Sequence, residues 1–347
     1  MTINVATDTL SHLDKNRYTQ QINVNIDHIL KRLDRTLVSY VAFNMAFVGI
    51  GCVEFLLLMS FFTFLAQSSV LALSLAVLFL TLFSYFILRL YFNTRKPEQL
   101  LDLRDDYLNS CKQVFHYQEG IPKHHMTLAS AACKLAAALH DREYHYYSPP
   151  AWLDILGSTM ETFSCWWHWY DLHTFKELLL LCSVDEHIKL VKCEPTNLQA
   201  HAALANAYVM LSSIYSNPQK AATYDSEHFI APQRFSEAMQ QQFRAAAERA
   251  IEEFKILNDY APNDPWVHAQ LAYSYHDLQM PQEEIKEYET ILRINPADKE
   301  TFFKLGMLYF QQGHNAKGLR IYEELKHSHY NKAENLIKFY GAYNAKK

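Results

Sequence analysis

Apolar residues in the first hundred positions are concentrated in a single block. Between Thr36 and Leu88 the only Asp, Glu, Lys, Arg or His residue is Glu54. Each half of this block, at 36–65 and 70–88, reaches the roughly 20 residues that an α-helix needs to cross the hydrocarbon core of a bilayer. Because lipid offers the backbone no hydrogen-bond partner, both halves must be helical, and the link at 66–69 leaves room only for a tight turn. We predict a transmembrane helical hairpin over residues 36–92.

Basic residues lie on the outer side of each predicted span, and the link between the spans carries no charge. Three precede the first span and three follow the second: Lys31, Arg32, Arg35, Arg89, Arg95 and Lys96. Cytoplasmic flanks of membrane proteins carry an excess of Lys and Arg. The pattern therefore predicts that both termini are cytoplasmic, with residues 1–35 as a polar segment and residues 36–92 in contact with lipid. We expect a bacterial inner membrane or, alternatively, the membrane of an intracellular vacuole.

A carboxylate inside an apolar span is costly in lipid and often functional. Glu54 is therefore a candidate for binding a partner helix. The alternative is that Glu54 faces the second span and bonds to Ser74 or Thr81. Gly49 and Gly51 beside it would allow another helix to approach closely, although they do not form a GxxxG motif.

The last third of the chain repeats itself with a period of 34 residues. Four hydrophobic or aromatic positions recur at this spacing: Leu271 and Leu305, Tyr275 and Tyr309, Ile285 and Leu319, and Tyr288 and Tyr322. The local sequences around the first two pairs are LAYSY and LGMLY. This period and register resemble the tetratricopeptide repeat (TPR), whose unit is a pair of antiparallel helices, A and B. The resemblance implies an α-solenoid, because each pair exposes an apolar face that a neighbour must cover.

The resemblance covers residues 195–331, and residues 332–347 are predicted to form a capping helix and tail. Two repeats are contiguous, at 265–298 and 299–331, and an earlier one is split by an insertion at about 212–243. Three positions depart from the family pattern: Glu284 and Ile291 replace small residues, and Tyr330 replaces the closing Pro. The predicted fold class is all-α, with an N-terminal transmembrane hairpin followed by a TPR-type α-solenoid.

Residues 97–194 are predicted to be an irregular helical region that begins the solenoid. Pro97 is expected to start its first helix, and residues 176–195 resemble one more helix B. Four of the five Trp residues lie between 151 and 182: Trp152, Trp166, Trp167 and Trp169. We expect them to form a bulky core, with a position on the membrane surface as the alternative, because Trp favours the depth of lipid headgroups.

Composition and motifs argue against several functions. A net charge of -5 gives no basic field for holding nucleic acid. The six Cys are scattered without a CxxC pair, which is typical of reduced, buried thiols. The chain contains no GxxxxGK[ST], GxGxxG, GxSxG or HExxH motif. The spacing of Cys165, His168, Asp171 and His173 does not suit zinc on one helix face. We predict no enzyme activity, no cofactor and no metal.

The resemblance implies a concave groove lined by the A helices, and this groove is the predicted partner-binding site. Its candidate residues are Asn206, Met210, Trp266, Tyr273, His276, Phe303, Lys304, Met307 and Phe310. TPR domains that clamp a terminal carboxylate use five Lys, Asn and Arg positions, of which only Asn206 and Lys304 match. An apolar, aromatic groove favours a peptide or an amphipathic helix as the protein partner.

The predicted function is a membrane-anchored adaptor or scaffold that presents a TPR groove for protein binding on the cytoplasmic side. The alternative is an accessory subunit whose hairpin packs against a transporter or enzyme in the membrane. The layout also resembles that of inclusion-membrane proteins, which intracellular bacteria insert into host vacuoles.

Overall fold

The computed structural model describes residues 3–60, with side chains from Tyr18, and residues 70–147, 157–217 and 229–341. Every regular element within these ranges is a helix, which confirms the predicted all-α class. The chain forms two compact units, one of residues 1–183 with 225–231, the other of residues 184–224 with 232–347.

Two long helices, α1 (Ile3–Ser60) and α2 (Val70–Val114), run antiparallel through the first unit. Their contacts progress in opposite directions along the chain. The Arg32 guanidinium pairs with Asp106 at 2.7 Å, and the Tyr85 hydroxyl donates to Asn44 at 2.9 Å. The predicted turn at 66–69 lies outside the described residues.

The segment before the first predicted span is helical and packed. Helix α1 runs without interruption from this segment into the span. Ile22, Leu33 and Leu37 on α1 are buried, as are Leu100 and Tyr107 on the facing part of α2. Residues 18–41 are therefore part of the folded unit.

Beyond this packed region, α1 and α2 expose their large apolar side chains. Exposed residues run from Met45 on α1 and as far as Tyr91 on α2, and include Val48, Val53, Phe55, Leu56, Leu73, Phe79, Phe83 and Phe86. Both helices are long and apolar enough to cross a membrane. Leu37, Tyr40 and Val41 fall within the predicted 36–92 hairpin but are buried by protein. The continuously exposed apolar surface therefore begins near Met45.

The expectation that Pro97 starts a helix is wrong. Pro97 lies inside α2, which continues for 17 residues beyond it, from Glu98 to Val114. Proline removes one backbone donor and costs about 3 kcal/mol in a helix interior. Leu100, Leu103, Tyr107 and Cys111 are buried just beyond it. This packing offsets the local cost and keeps α2 continuous.

Helix α3 (Pro122–Ala138) begins with proline at its first position and packs against α2. Ala129, Ala131 and Ala132 are fully buried, and such small side chains permit close helix approach. The buried Tyr107 hydroxyl donates to the Ala131 carbonyl at 2.8 Å. A short 3-10 helix (Arg142–Tyr144) follows.

Helix α4 (Gly157–Cys193) is one continuous element of 37 residues. Its C-terminal half contains residues 176–193, so the prediction of a separate helix B in this segment is wrong. The Trp prediction is only partly correct, because Trp169 is buried whereas Trp166 is exposed. Trp152 lies outside the described residues.

The second unit contains helices that pack on their neighbours in chain order, from α5 to α10. They are α5 (Leu198–Tyr215), α6 (Glu237–Tyr260), α7 (Pro265–Asp277), α8 (Pro281–Ile294), α9 (Lys299–Gln311) and α10 (Asn315–His327). A short helix, α11 (Ala333–Leu336), follows and packs on α9 and α10. Its Leu336 is fully buried in their core, which closes this end of the unit.

Candidate functional site

Three helices of the second unit start in the same way. The side chains of Asn197, Asp264 and Asp298 each accept a hydrogen bond from the backbone N–H two residues later, at the starts of α5, α7 and α9. Such caps satisfy a backbone donor that the first helical turn leaves free. The last two caps are 34 residues apart in the chain. The period found in the sequence is therefore repeated in the helix starts.

The equivalent positions inside these helices have equivalent surroundings. Leu204, Leu271 and Leu305 follow their caps by seven residues and are all buried. Tyr275 and Tyr309 follow theirs by eleven residues and are buried too. The repeated residues thus face the core of the unit, and the remaining face of each helix is left outward.

Two buried histidines fasten the first two of these helices to their surroundings. His201 Nδ1 lies 2.7 Å from Glu253 Oε2, and its Nε2 lies 2.9 Å from the Pro195 carbonyl. His268 makes the same two contacts with Glu287 and with the carbonyl of Pro262. Both acceptors can only accept, so the His201 ring satisfies them fully only when it carries two protons. Burial lowers the pKa of His201, but these hydrogen bonds outweigh burial and raise the pKa above its ordinary value.

Several predicted groove residues are exposed along α5 and α7. Asn206, Met210, Trp266 and Tyr273 are all exposed, with Trp266 at 43% and Tyr273 at 45%. Trp266 and Tyr273 are seven residues apart and so lie on one face of α7. We call the outward face of α5, α7 and α9 the A face.

A direct contact links the A face of α7 to that of α9. Lys304 Nζ donates to the Tyr273 hydroxyl at 3.1 Å and lies 5.2 Å from the Tyr273 ring centroid. The same ammonium pairs with Glu300 at 3.3 Å. Burial lowers the pKa of Lys304, but the hydrogen bond to Tyr273 and the neighbouring Glu300 raise it overall. Lys304 thus places an ammonium group, held by Tyr273 and Glu300, beside the exposed Tyr273 ring.

Three other predicted groove residues are less accessible. Phe303 and Met307 are partly buried and pack against the core of the second unit. Phe310 is fully buried. A Cβ added at Gly318 would lie 2.5 Å from the Phe310 ring, so the ring fills the space that the glycine leaves. Phe310 therefore has no surface for a partner, and the prediction for it is wrong.

His276 has a structural partner. Its Nδ1 lies 3.1 Å from Glu284 Oε1, and Glu284 is buried on α8 where the repeat pattern has a small residue. The hydrogen bond to Glu284 raises the pKa of His276. His276 remains exposed, but its first role is to pair with a buried carboxylate.

Glu54 bonds to the second long helix. The Thr81 hydroxyl donates to Glu54 Oε1 at 2.8 Å, which agrees with one of the two partners considered from the sequence. Glu54 Oε2 is buried and finds no hydrogen-bond partner among the described residues. A groove of about 390 Å³, lined mainly by apolar residues, lies beside it. Gly49 and Gly51 do not serve the contact between α1 and α2, since a Cβ at either would meet nothing within 4 Å.

A polar groove that sequence reasoning missed lies where the exposed apolar surface of α1 and α2 ends. Its volume is about 190 Å³, and it is lined by Tyr40, Phe43, Asn44, Arg89, Phe92, Asn93, Lys96, Trp166 and Trp167. Arg89, Asn93 and Lys96 are spaced four and three residues apart, so one face of α2 carries all three. This spacing of polar residues along one helix face was the sequence signal that could have indicated the groove.

Residues of the cluster Cys165, His168, Asp171 and His173 bond to other side chains. His168 Nε2 lies 2.9 Å from the Tyr147 hydroxyl, and Asp171 accepts from Lys96 at 2.9 Å. Burial and the charge of Lys96 lower the pKa of His168 to about 4. No group of three or more His, Cys, Asp or Glu residues in the described part of the chain is arranged to hold a metal ion.

No protein-family model matches the chain, and no curated protein matches it significantly.

Proposed function

We propose that this chain is a membrane-anchored adaptor. In this proposal α1 and α2 cross the membrane as a hairpin, both termini are cytoplasmic, and the second unit is a TPR-type solenoid that binds a protein partner on its A face. The carrying observation is the exposure of Trp266 and Tyr273, large aromatic side chains on one face of α7. Aromatic residues anchor many protein interfaces, and an exposed apolar patch commonly marks a binding surface.

The partner that suits this face is an amphipathic helix. Helical ligands place apolar anchors at spacings of three, four and seven residues into a row of pockets. Trp266 and Tyr273 supply an apolar row, and Lys304 supplies one cation at its edge, held by Tyr273 and Glu300. A helix with an apolar stripe, flanked by polar residues that meet the Lys304–Glu300 pair, complements this arrangement.

Deletion of residues 1–96 is a poor test of this proposal. It would remove α1, which buries Ile22, Leu33 and Leu37, and would expose Leu100 and Tyr107 of α2. Loss of binding would then report a damaged core. Point variants in the full-length protein avoid this problem.

A photo-crosslinking amino acid placed in the full-length protein in its native cell tests the A face. Substitution at Tyr273 is expected to give one discrete adduct, whereas substitution at Tyr260, which is 65% exposed at the end of α6, gives none. The crosslinked peptide of the partner is expected to be an amphipathic helix. Identical adducts at the two positions, or no adduct at Tyr273, would contradict the proposal.

A second candidate function rests on Glu54. We infer that the groove beside its unpaired Oε2 suits a helix of another membrane protein, which makes the chain an accessory subunit. Val48 lines this groove and Val53 does not, although both are 57% exposed. A photo-crosslinker at 48 but not at 53 is expected to capture the same membrane protein. Equal capture at the two positions would indicate only random collision in lipid.

A further inference from the structure

The polar groove at the end of the exposed apolar surface has the position of a lipid headgroup. Helices α1 and α2 expose apolar side chains as far as Met45 and Tyr91, and Asn44 and Asn93 lie next to these limits in the groove wall. If the exposed surface is in lipid, the groove lies at the depth of the headgroups. This step depends on the membrane insertion in the proposed function.

Aromatic side chains on α4 are suited to the same depth. Trp166 is 54% exposed, and Tyr170, four residues further on the same helix face, is exposed as well. Indole and phenol rings favour the membrane–water interface, because each combines an apolar body with a polar edge. Trp166 and Trp167 also form one wall of the groove.

The groove contains one cation that no carboxylate neutralises. The Arg89 guanidinium donates to the Tyr85 hydroxyl at 3.3 Å and lies 5.8 Å from the centroid of the same ring. Within the described residues it forms no ion pair. Lys96 is different, because Asp171 holds it at 2.9 Å and cancels its charge. The groove therefore carries about one net positive charge, which complements the single negative charge of a phosphodiester.

Polar groups around Arg89 are already arranged by the fold. Asn44 Nδ2 donates to the Tyr40 carbonyl at 2.7 Å, and Asn44 Oδ1 accepts from Tyr85, which in turn accepts from Arg89. This series of hydrogen bonds positions the guanidinium in the groove wall. A planar guanidinium so placed binds two phosphate oxygens with little further ordering.

We propose that this groove binds the phosphodiester of a membrane phospholipid, with Arg89 as the phosphate ligand and Trp166 and Trp167 against the glycerol and the upper acyl chain. The site would fix the depth of the hairpin in the bilayer and hold the α4 end of the first unit against the membrane surface.

Native mass spectrometry of the full-length protein in detergent, titrated with phosphatidylglycerol, tests the proposal. Arg89→Gln is expected to weaken the lipid affinity about tenfold. Arg95→Gln is the matched control, because Arg95 is also an exposed arginine on α2, contacts Tyr91 and does not line the groove. It is expected to leave the affinity within about twofold of the unmodified protein.

A variant that is expected to bind lipid more tightly controls for loss of binding through misfolding. Asp171→Asn releases Lys96 from its ion pair and adds a second cation to the groove. It is expected to tighten lipid binding several-fold, which misfolding would not do. Equal affinities for the Arg89→Gln and Arg95→Gln proteins, or weaker binding after Asp171→Asn, would overturn the site.

Two further arms separate the possible sources of the phosphate and the possible failures. Glycerophosphoglycerol, the deacylated headgroup, is expected not to compete at the same concentration. If it binds as tightly as the lipid, the ligand is a soluble phosphate ester and the lipid assignment is wrong. Extraction of native membranes with alkaline carbonate checks the anchor separately. If the protein stays in the membrane but Arg89→Gln has no effect, only the headgroup site fails; if carbonate releases the protein, the proposed anchoring fails.

Discussion

At the scale of single residues, Gly318 has a role that only the packing reveals. A Cβ at this position would lie within 3.0 Å of three atoms of the buried Phe310 ring. Gly318→Ala is therefore expected to destabilise the α9–α10 pair by about 1–3 kcal/mol, as overpacked cores usually are. Hydrogen-exchange mass spectrometry of peptides from 299–327 measures the change as faster exchange.

Gly157→Ala is the matched control for this substitution. Gly157 is also helical, and a Cβ there would meet nothing within 4 Å. Hydrogen exchange of the peptides around residue 157 is expected to stay the same or slow slightly in this variant. A double variant with Phe310→Leu should show less than the sum of the two single effects, because the two side chains share one space. Strict additivity would contradict the steric explanation.

The pairing of His201 with Glu253 predicts a pH dependence. The pKa of His201 is raised in the folded chain, so its stabilising effect is complete below the ordinary histidine pKa of about 6.5. It is lost as the pH rises through the folded pKa, since a neutral ring can donate to only one of its two acceptors. The thermal unfolding midpoint of the full-length protein is therefore expected to decrease as the pH is raised from about 6 to about 8.5.

Glu253→Gln isolates this effect from other titrations. The amide removes the charged acceptor that favours the doubly protonated ring. The variant is expected to be less stable at pH 6 and to lose less stability than the unmodified protein on going to pH 8.5. Parallel pH profiles for the two proteins would show that His201 does not carry the dependence.

At the scale of helices, Pro97 tests whether packing overrides local preference. Pro97→Ala restores a backbone donor inside α2 and is expected to stabilise this helix by up to about 3 kcal/mol. Slower hydrogen exchange in peptides around residues 94–101 would show the gain. Pro122→Ala is the matched control, because Pro122 stands at the first turn of α3, where proline costs nothing. A gain at 122 equal to that at 97 would refute the interpretation.

The helices of the second unit were predictable because local signals agree with one another there. The caps at Asp264 and Asp298 and the buried Leu271 and Leu305 are all set by the 34-residue period. The first unit was less predictable, since Pro97 signals a helix start locally while distant contacts with α1 keep the helix continuous. A pattern within one helix does not contain those contacts.

At the scale of the whole chain, the two candidate surfaces differ in how far the sequence reveals them. The exposure of Trp266 and Tyr273 follows from the repeat register, because four residues between them are buried: Val267, His268, Leu271 and Ala272. Phe310 was assigned to the groove wrongly because the register does not show that its ring fills the space left by Gly318 on the neighbouring helix. The Arg89 groove combines residues near 40, 90 and 166, so the spacing of Arg89, Asn93 and Lys96 on α2 signals only one of its walls.

Two exposed cysteines can report the placement of the whole chain in a membrane. Cys52 lies on the exposed apolar surface of α1, and Cys193 lies at the end of α4 in the second unit. In native membranes a charged, impermeant maleimide is expected to label a Cys193-only variant at least about tenfold faster than a Cys52-only variant, because lipid excludes such a reagent from a span.

The same two variants determine the orientation. If both termini are cytoplasmic, Cys193 is labelled in inside-out vesicles and in opened cells but is protected in intact cells, since the bilayer then separates it from the reagent. Cys52 stays slow in all three preparations. Labelling of Cys193 in intact cells would show the opposite orientation. Equal rates at Cys52 and Cys193 would place α1 in water. Its exposed Val48, Val53 and Phe55 would then need to be covered by another protein chain.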